Sequence, residues 1–188
     1  MRRLLLGAIL LTGCAAQPPP AAPPDPPPLP PKPVIIIPDD PMAGLSPAVR
    51  AAIQSHQTPV IKDGIAVIYP YAPNQQWTVY CAPLHPTDIK VGPDEALNED
   101  SAMIGDKTRW EAQVLPPNTI RVQPLGTSAD PAMSTDLIID SNKRSYRLLL
   151  KLRPRYTETI SWYFPDDVRA AQAARQEAIA KAAKEQQQ

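Results

Sequence analysis

The chain has 188 residues, a length that predicts one domain with extensions. Its formal net charge is zero at pH 7. Because no dense cluster of Lys and Arg occurs, direct binding of nucleic acid is not expected. The 26 prolines are too many for a single globular unit, and they concentrate before residue 48. We therefore expect an extended segment followed by a folded domain.

Residues 1–13 have the pattern of a signal peptide. A cationic start precedes an apolar run over residues 4–11, which is too short to cross a membrane as a helix of about 20 residues. The run leads into a motif that resembles the bacterial lipobox, made of Leu11, Thr12, Gly13 and Cys14. The resemblance implies cleavage before Cys14 and acylation of this cysteine, and Ala15 after it favours the outer membrane. An ordinary signal peptide with a coincidental cysteine is the alternative.

Residues 14–47 are predicted to form an extended tether behind the acylated cysteine. Runs of proline with little except Ala between them remove backbone donors and disfavour helix, which favours polyproline-like structure. The apolar residues 34–37 interrupt the tether, and a solvated β-branched patch of this kind promotes aggregation. We expect this patch to add as a strand to an exposed sheet edge of its own or a neighbouring subunit.

A short helix and a connector are predicted for residues 48–63. Ser46 is suited to cap the helix, and Pro47 is suited to its first position. The residues that would share its apolar face are Val49, Ala52 and Ile53.

Residues 64–165 are predicted to form the folded domain, because apolar and polar residues alternate there with a period of two. Turn residues divide this region into about eight or nine short strands. Since no segment has helical spacing long enough to connect parallel strands, the expected fold is mainly β, an antiparallel β-sandwich. Residues 137–139 are apolar on both faces, as in a central strand.

An Ala-rich helix is predicted for residues 166–188, after Pro165 ends the last strand. Acidic residues at its start and lysines near its end suit the helix dipole. Its apolar stripe is nearly all Ala and buries little area. We therefore expect a linker or a weak packing surface rather than a core helix.

The sequence lacks the convergent groups that catalysis requires, so we predict no enzyme, no metal site and no cofactor. His56 and His85 have no Cys or second His at metal-ligand spacing. Adjacent acidic residues point to opposite faces of a strand, so the three acidic pairs are interpreted as solvated turns rather than acid/base dyads. These pairs are Asp94 and Glu95, Glu99 and Asp100, and Asp166 and Asp167.

Two other residue types have a structural and a functional interpretation. Cys81 closes an apolar strand, which favours a small buried residue over a reactive thiol. Trp77, Trp110 and Trp162 have apolar neighbours in phase, which predicts that they are buried. A sugar-binding surface is the alternative for these tryptophans.

Five segments between about residues 64 and 167 occur in an order that resembles the N-terminal domain of the TrbG/CagX family. These segments are residues 87–89, 105–110, 134–139, 143–148 and 161–165. The most specific part is an Arg-x-Tyr strand followed by a strand that ends in two aromatic residues and a proline. The residues that carry the motifs are Gly105, Asp106, Trp110, Arg144, Tyr146, Trp162 and Pro165. Residues 92–95 depart from the family's Pro-Gly-Glu pattern.

The resemblance implies a structural subunit of a type IV secretion or conjugative-transfer core complex. The family resemblance implies self-association in a ring, and the lipobox adds a lipid anchor in the outer membrane with the domain facing the periplasm. The other partners of such a subunit would be further core-complex subunits, including the subunit that spans both membranes. The family's C-terminal β-domain is not found in this chain, so either the lipid on Cys14 replaces its anchoring role or the sequence is truncated.

Two further hypotheses concern what the domain contacts. A monomeric periplasmic lipoprotein that binds glycan or a small ligand is the alternative function. In a ring, basic residues around the penultimate strand would meet acidic residues of the neighbouring subunit. The basic residues are Arg144, Arg147, Lys151, Arg153 and Arg155, and the acidic candidates are Glu95, Glu99 and Asp100.

Overall fold

The computed structural model describes residues 34–126, 130 and 132–185. The predicted signal peptide, Cys14 and the tether up to residue 33 lie outside these residues, as do the last three positions of the predicted C-terminal helix. The chain divides into two units, Met1–Val34 and Ile35–Gln188. All helices and strands of the described residues belong to the second unit.

The described residues form ten strands and two α-helices. The helices are α1 (Pro47–Gln54) and α2 (Pro165–Glu185). The strands are β1 (Ile61–Asp63), β2 (Ala66–Pro70), β3 (Gln76–Cys81), β4 (Thr87–Lys90), β5 (Ala102–Ile104), β6 (Trp110–Leu115), β7 (Thr119–Pro124), β8 (Ser134–Asp140), β9 (Ser145–Leu152) and β10 (Thr159–Tyr163). A single 3-10 turn, Glu99–Ser101, precedes β5.

The strands form two sheets, one of six strands and one of four. The order is β1-β2-β10-β4-β7-β6 in the larger sheet and β3-β9-β8-β5 in the smaller one. β10 runs parallel to both of its neighbours, and β3 runs parallel to β9. The mainly β fold is therefore confirmed, whereas the expectation of a purely antiparallel sandwich is wrong.

The parallel pairs arise because the chain repeatedly crosses from one sheet to the other. β2 lies in the larger sheet, β3 in the smaller sheet, and β4 again in the larger sheet. The connection between parallel neighbours therefore passes through the opposite sheet, and no crossover helix is needed. The sequence pattern did not reveal β1 and β5, because they have three residues each and are too short to show an alternation.

The main core lies between the sheets and consists of residues that alternate along the strands. Trp77, Val79 and Cys81 of β3 are buried, as expected. In β8, Leu137 and Ile139 are fully buried, and neighbours on both sides confirm that this strand is internal. Cys81 is fully buried, which confirms that it is a small buried residue, and this burial raises the pKa of its thiol to about 11.

A second apolar cluster covers the outer face of the larger sheet. Ser46 caps α1 by accepting a hydrogen bond from the N–H of Val49 at 3.4 Å, and Pro47 is the first helical residue, as predicted. The buried residues of this cluster are Met42, Val49, Ala52, Ile53, Ile61 and Tyr163. The Tyr163 hydroxyl also donates to the carbonyl of Pro59 at 2.9 Å, which ties β10 to the segment before β1.

The apolar residues 35–37 do not form a strand within their own chain. The side chains of Ile36 and Ile37 are 83% and 45% exposed. Directly after this segment, the carbonyl of Pro38 accepts a hydrogen bond from Arg175 Nε of α2 at 3.1 Å. The expectation that this patch adds to a sheet edge of its own subunit is therefore wrong for the described residues, and addition to a neighbouring subunit stays a prediction.

Helix α2 begins directly after β10 and contributes little to the core. Among its described residues only Pro165 is buried. Val168 packs against the second cluster, while Ile179 is 40% exposed. The helix is thus a weak packing surface, as its Ala-rich sequence predicted.

Candidate functional site

The residues that carry the family resemblance gather at two places in the fold. One group surrounds the junction between β10 and α2 and consists of Arg144, Tyr146, Trp162 and Pro165. The other group forms the connection from β5 in the smaller sheet to β6 in the larger sheet and consists of Gly105, Asp106 and Trp110.

The first group is centred on a buried carboxylate, that of Glu95 in the loop after β4. The Glu95 side chain is fully buried. Its carboxylate accepts hydrogen bonds from the Tyr146 hydroxyl at 2.8 Å and from the Ser141 hydroxyl at 2.5 Å. It also pairs with the guanidinium of Arg144. Both carboxylate oxygens therefore have partners, which compensates the cost of burying the charge.

The loop that carries Glu95 is packed too closely for a larger residue at Gly92. A Cβ atom at Gly92 would lie 2.6 Å from Oε1 of Glu95. Beyond the glutamate, the N–H of Ala96 donates to Oδ1 of Asn142 at 2.8 Å, and the N–H of Asn142 donates to the Ala96 carbonyl at 3.3 Å. The departure from the family pattern at residues 92–95 thus lies in the loop that supplies the buried carboxylate.

Arg144 connects this carboxylate to the C-terminal helix. Its guanidinium also pairs with Asp167 in the first turn of α2, and its Cζ lies 4.1 Å from the centre of the Phe164 ring. Burial lowers the pKa of Arg144, but the hydrogen bond and charge of Glu95, together with the charge of Asp167, outweigh it and raise the pKa overall. Arg144 therefore remains a cation that fixes the start of α2 to the sandwich.

An aromatic cluster packs beside the ion pair. The Tyr146 ring lies 4.5 Å from that of Trp162 and 5.3 Å from that of Tyr71. Trp77 meets Trp162 edge to face, with ring centres 5.4 Å apart and an interplanar angle of 73°. Burial raises the pKa of Tyr146, and its hydrogen bond to Glu95 raises it further. The Tyr146 hydroxyl therefore stays protonated and acts as a donor.

The three tryptophans are buried, as the sequence predicted. Trp77, Trp110 and Trp162 are 3%, 1% and 6% exposed. Because a sugar stacks on an accessible ring face, these residues do not form a sugar-binding surface.

An open groove of about 450 Å³ lies beside the ion pair, between α1, β10 and α2. Its apolar lining includes Leu45, Val49, Ile68, Tyr163, Val168 and Ala171. Its charged lining residues are Asp94, Arg144 and Asp167.

The second group of motif residues forms a structural corner. The N–H of Gly105 donates to the Asp136 carbonyl at 3.0 Å, and the N–H of Asp106 donates to Oγ1 of Thr135 at 2.9 Å. The hydrogen bond from Arg109 lowers the pKa of Asp106. Trp110, the first residue of β6, is buried in the main core. The chain therefore crosses from the smaller to the larger sheet at this corner. Gly105 and Asp106 form the turn, and the buried Trp110 follows it.

The described residues do not assemble a recognisable catalytic centre around the histidines. His85 stacks on Tyr156 with ring centres 4.4 Å apart, and His56 has a positive φ of 57° at the end of α1. In residues 34–126, 130 and 132–185, no group of three or more His, Cys, Asp or Glu side chains is arranged to hold a metal ion. None of the helices in that part of the chain combines the length and apolar character needed to span a membrane.

The sequence-based interpretation of Glu95 as a solvated turn residue is wrong, because its side chain is buried. The hypothesis that Glu95 meets a basic residue of a neighbouring subunit is also wrong, because Arg144 of the same chain covers it. The 49 positions that separate these two residues leave no local pattern that would reveal the pair. The neighbouring Asp94 does lie at the surface, where it pairs with Lys143. Contacts of Glu99 or Asp100 with another subunit stay a prediction.

The comparisons with known proteins agree with the motif residues. A search of curated proteins found no match. The family model of CagX, described as a conjugal transfer protein, matches residues 65–188. This match contains all five segments on which the resemblance was based, and it extends along α2. Because it covers more than half of the chain, the resemblance is confirmed, and this protein belongs to the CagX family of conjugal transfer proteins.

Proposed function

We propose that this protein is a structural subunit of the core complex of a conjugative-transfer or type IV secretion channel. The lipid on Cys14 holds it in the outer membrane, the proline-rich tether sets its distance from the bilayer, and the β-sandwich contributes to a ring in the periplasm. Its partners are other copies of itself and other core-complex subunits. The family match over residues 65–188 is the observation that carries this proposal.

The arrangement of the described residues supports a role in assembly. The carboxylate of Glu95, which could have served as an acid or base, is fully occupied by Arg144, Tyr146 and Ser141. The same contacts fix the first turn of α2 to the sandwich through Asp167. A β-sandwich to which the first turn of α2 is tied suits a subunit that acts through its shape and its neighbours.

The lipid anchor is tested by replacing Cys14 with serine in the full chain. Cells expressing Cys14→Ser should yield protein that lacks acyl label and leaves the outer-membrane fraction. Cys81→Ser is the matched control, because Cys81 is buried in the main core and its loss should not affect labelling. Equal acyl labelling of the wild type and Cys14→Ser would contradict the anchor.

The ring is tested by measuring the mass of the wild-type protein after gentle extraction from membranes of cells that carry a transfer apparatus. Assembly predicts particles containing many copies together with other transfer proteins. Single particles without partners would contradict assembly and favour the alternative of a monomeric ligand-binding lipoprotein.

A further inference from the structure

The strand β6 has an outer edge with unpaired backbone groups. The N–H of Leu125 donates to the Arg109 carbonyl at 2.7 Å, which continues the β6–β7 ladder by one pair. Since hydrogen-bonded and non-hydrogen-bonded pairs alternate in an antiparallel ladder, the bonded residues of β6 are those at positions 111, 113 and 115. The backbone groups of Ala112 and Val114 therefore point away from β7, and no described residue pairs with them.

The other edge strands are short or covered by the chain itself. At the edge of the smaller sheet, the Tyr69 hydroxyl donates to the Thr78 carbonyl at 3.1 Å. The N–H of Thr157 donates to the Tyr80 carbonyl at 2.9 Å, so two of the outer carbonyls of β3 are occupied. Edges β1 and β5 have three residues each. The six-residue edge of β6 is thus the longest uncovered edge in the described part of the chain.

The chain also carries a segment suited to such an edge. Residues 35–37 are all isoleucine, a residue that favours strands, and the backbone of these three residues has no hydrogen-bond partner among the described residues. Pro33 and Pro38 limit any strand here to four residues. That length is enough to pair with the outward groups of Ala112 and Val114.

We infer that residues 34–37 of one copy add as a strand to the β6 edge of a second copy. The segment is held beside α2 by the contact between Pro38 and Arg175, whereas β6 is the edge strand opposite β1. The apolar segment and the β6 edge are different surfaces, so the contact can repeat head to tail, and in that arrangement it generates a ring or a filament. This inference rests on the proposed self-association and names the contact that mediates it.

Two substitutions test the contact in full-length protein extracted from membranes. Ile36→Asp places a charge in the donor strand, and Ala112→Pro removes an outward N–H while leaving the β6–β7 ladder intact. Both should convert the assembly largely to monomers in native mass measurements, with far-ultraviolet circular dichroism unchanged. The matched control is Ile179→Asp, on an exposed face of α2, which should assemble like the wild type.

Disulfide trapping provides a second measurement that does not depend on the folding of Ala112→Pro. Differently tagged copies carrying Gln113→Cys and either Ile36→Cys or Ile37→Cys are coexpressed and oxidised. Because successive residues of a strand point to opposite faces, one of the two donor positions should cross-link to position 113 and the other should not.

The outcomes separate this inference from the proposed function. If the wild type forms multimers, but Ile36→Asp also does and neither donor cysteine cross-links, the strand contact is wrong and the ring proposal stands. If the wild type is monomeric, the strand contact and the ring proposal are both wrong. Cross-linking of one donor position together with monomeric Ile36→Asp supports both.

Discussion

Glu95 and Arg144 form an ion pair in which the glutamate side chain is fully buried and the arginine side chain is 16% exposed. The pair joins the loop after β4 to the residue that precedes β9, and Arg144 continues to Asp167 of α2. Three segments that are distant in sequence therefore depend on one guanidinium. Removing a partner of a buried charge is costly because the remaining charge is left uncompensated.

Arg144→Met should strongly destabilise the domain. Leaving the carboxylate of Glu95 buried without its cation is expected to lower the free energy of unfolding by about 3–5 kcal/mol. Urea denaturation followed by tryptophan fluorescence measures this loss. The matched control is Arg121→Met, whose pair with Asp88 is exposed and should contribute about 1 kcal/mol or less. Equal losses in the two variants would show that burial of the pair does not matter.

Gly92→Ala should destabilise the loop that carries Glu95. The new Cβ would lie 2.6 Å from Oε1 of Glu95, and that oxygen cannot move without weakening its bonds to Tyr146 and Arg144. The expected loss in the free energy of unfolding is about 1–3 kcal/mol, as for other overpacked sites.

A double-mutant cycle identifies the cause of the Gly92→Ala effect. In a Glu95→Ala background the colliding oxygen is gone, so Gly92→Ala should cost much less than in the wild type. Additive losses in the double variant would rule out the collision as the reason.

The ion pair of Asp88 and Arg121 should make a small part of the stability depend on pH. The hydrogen bond from Arg121 lowers the pKa of Asp88 below its ordinary value of 3.8. A carboxyl with a lowered folded-state pKa adds stability above its unfolded pKa and loses it as pH falls through the folded value. The difference in unfolding free energy between wild type and Asp88→Asn should therefore be present at about pH 7 and shrink as the pH falls below the ordinary value of 3.8. A difference that grows on acidification would contradict this sign.

Cys81 should resist thiol reagents in the folded protein. Its side chain is fully buried, and burial raises its pKa to about 11, so little thiolate exists near neutral pH. Iodoacetamide labelling followed by mass spectrometry should modify Cys81 only after denaturation. Leu84→Cys, at a position that is 76% exposed, supplies a thiol that should react at once in the folded state.

The strand pattern of the sequence predicted which residues form the core, but it did not predict which strands pair. The alternation in β3 and β9 placed Trp77 and Tyr146 on buried faces, and both are buried. A period of two fixes which side chains share a face. It contains no information about the direction of the neighbouring strand, and for this reason the parallel pairing of β3 with β9 was not predicted.

The motif residues of the candidate site were predicted, whereas their common partner was not. Arg144 and Tyr146 were singled out through the family resemblance, but Glu95 was interpreted as a solvated turn residue. Its burial depends on contacts with Ser141, Arg144 and Tyr146, which the fold brings together from a distant part of the chain. Local composition, here a turn with two acidic residues, favours solvent exposure when such a partner is not known.

The position of β10 determines when the larger sheet can form during folding. Residues 159–163 lie between β2 and β4 and pair with both. Until they do, the β1–β2 hairpin and the β4–β7–β6 ladder are separate fragments with no shared hydrogen bonds. Because such long-range pairing closes large loops late, a chain that lacks Thr159 and the residues after it holds two unjoined fragments, and the larger sheet is completed only when β10 docks between them.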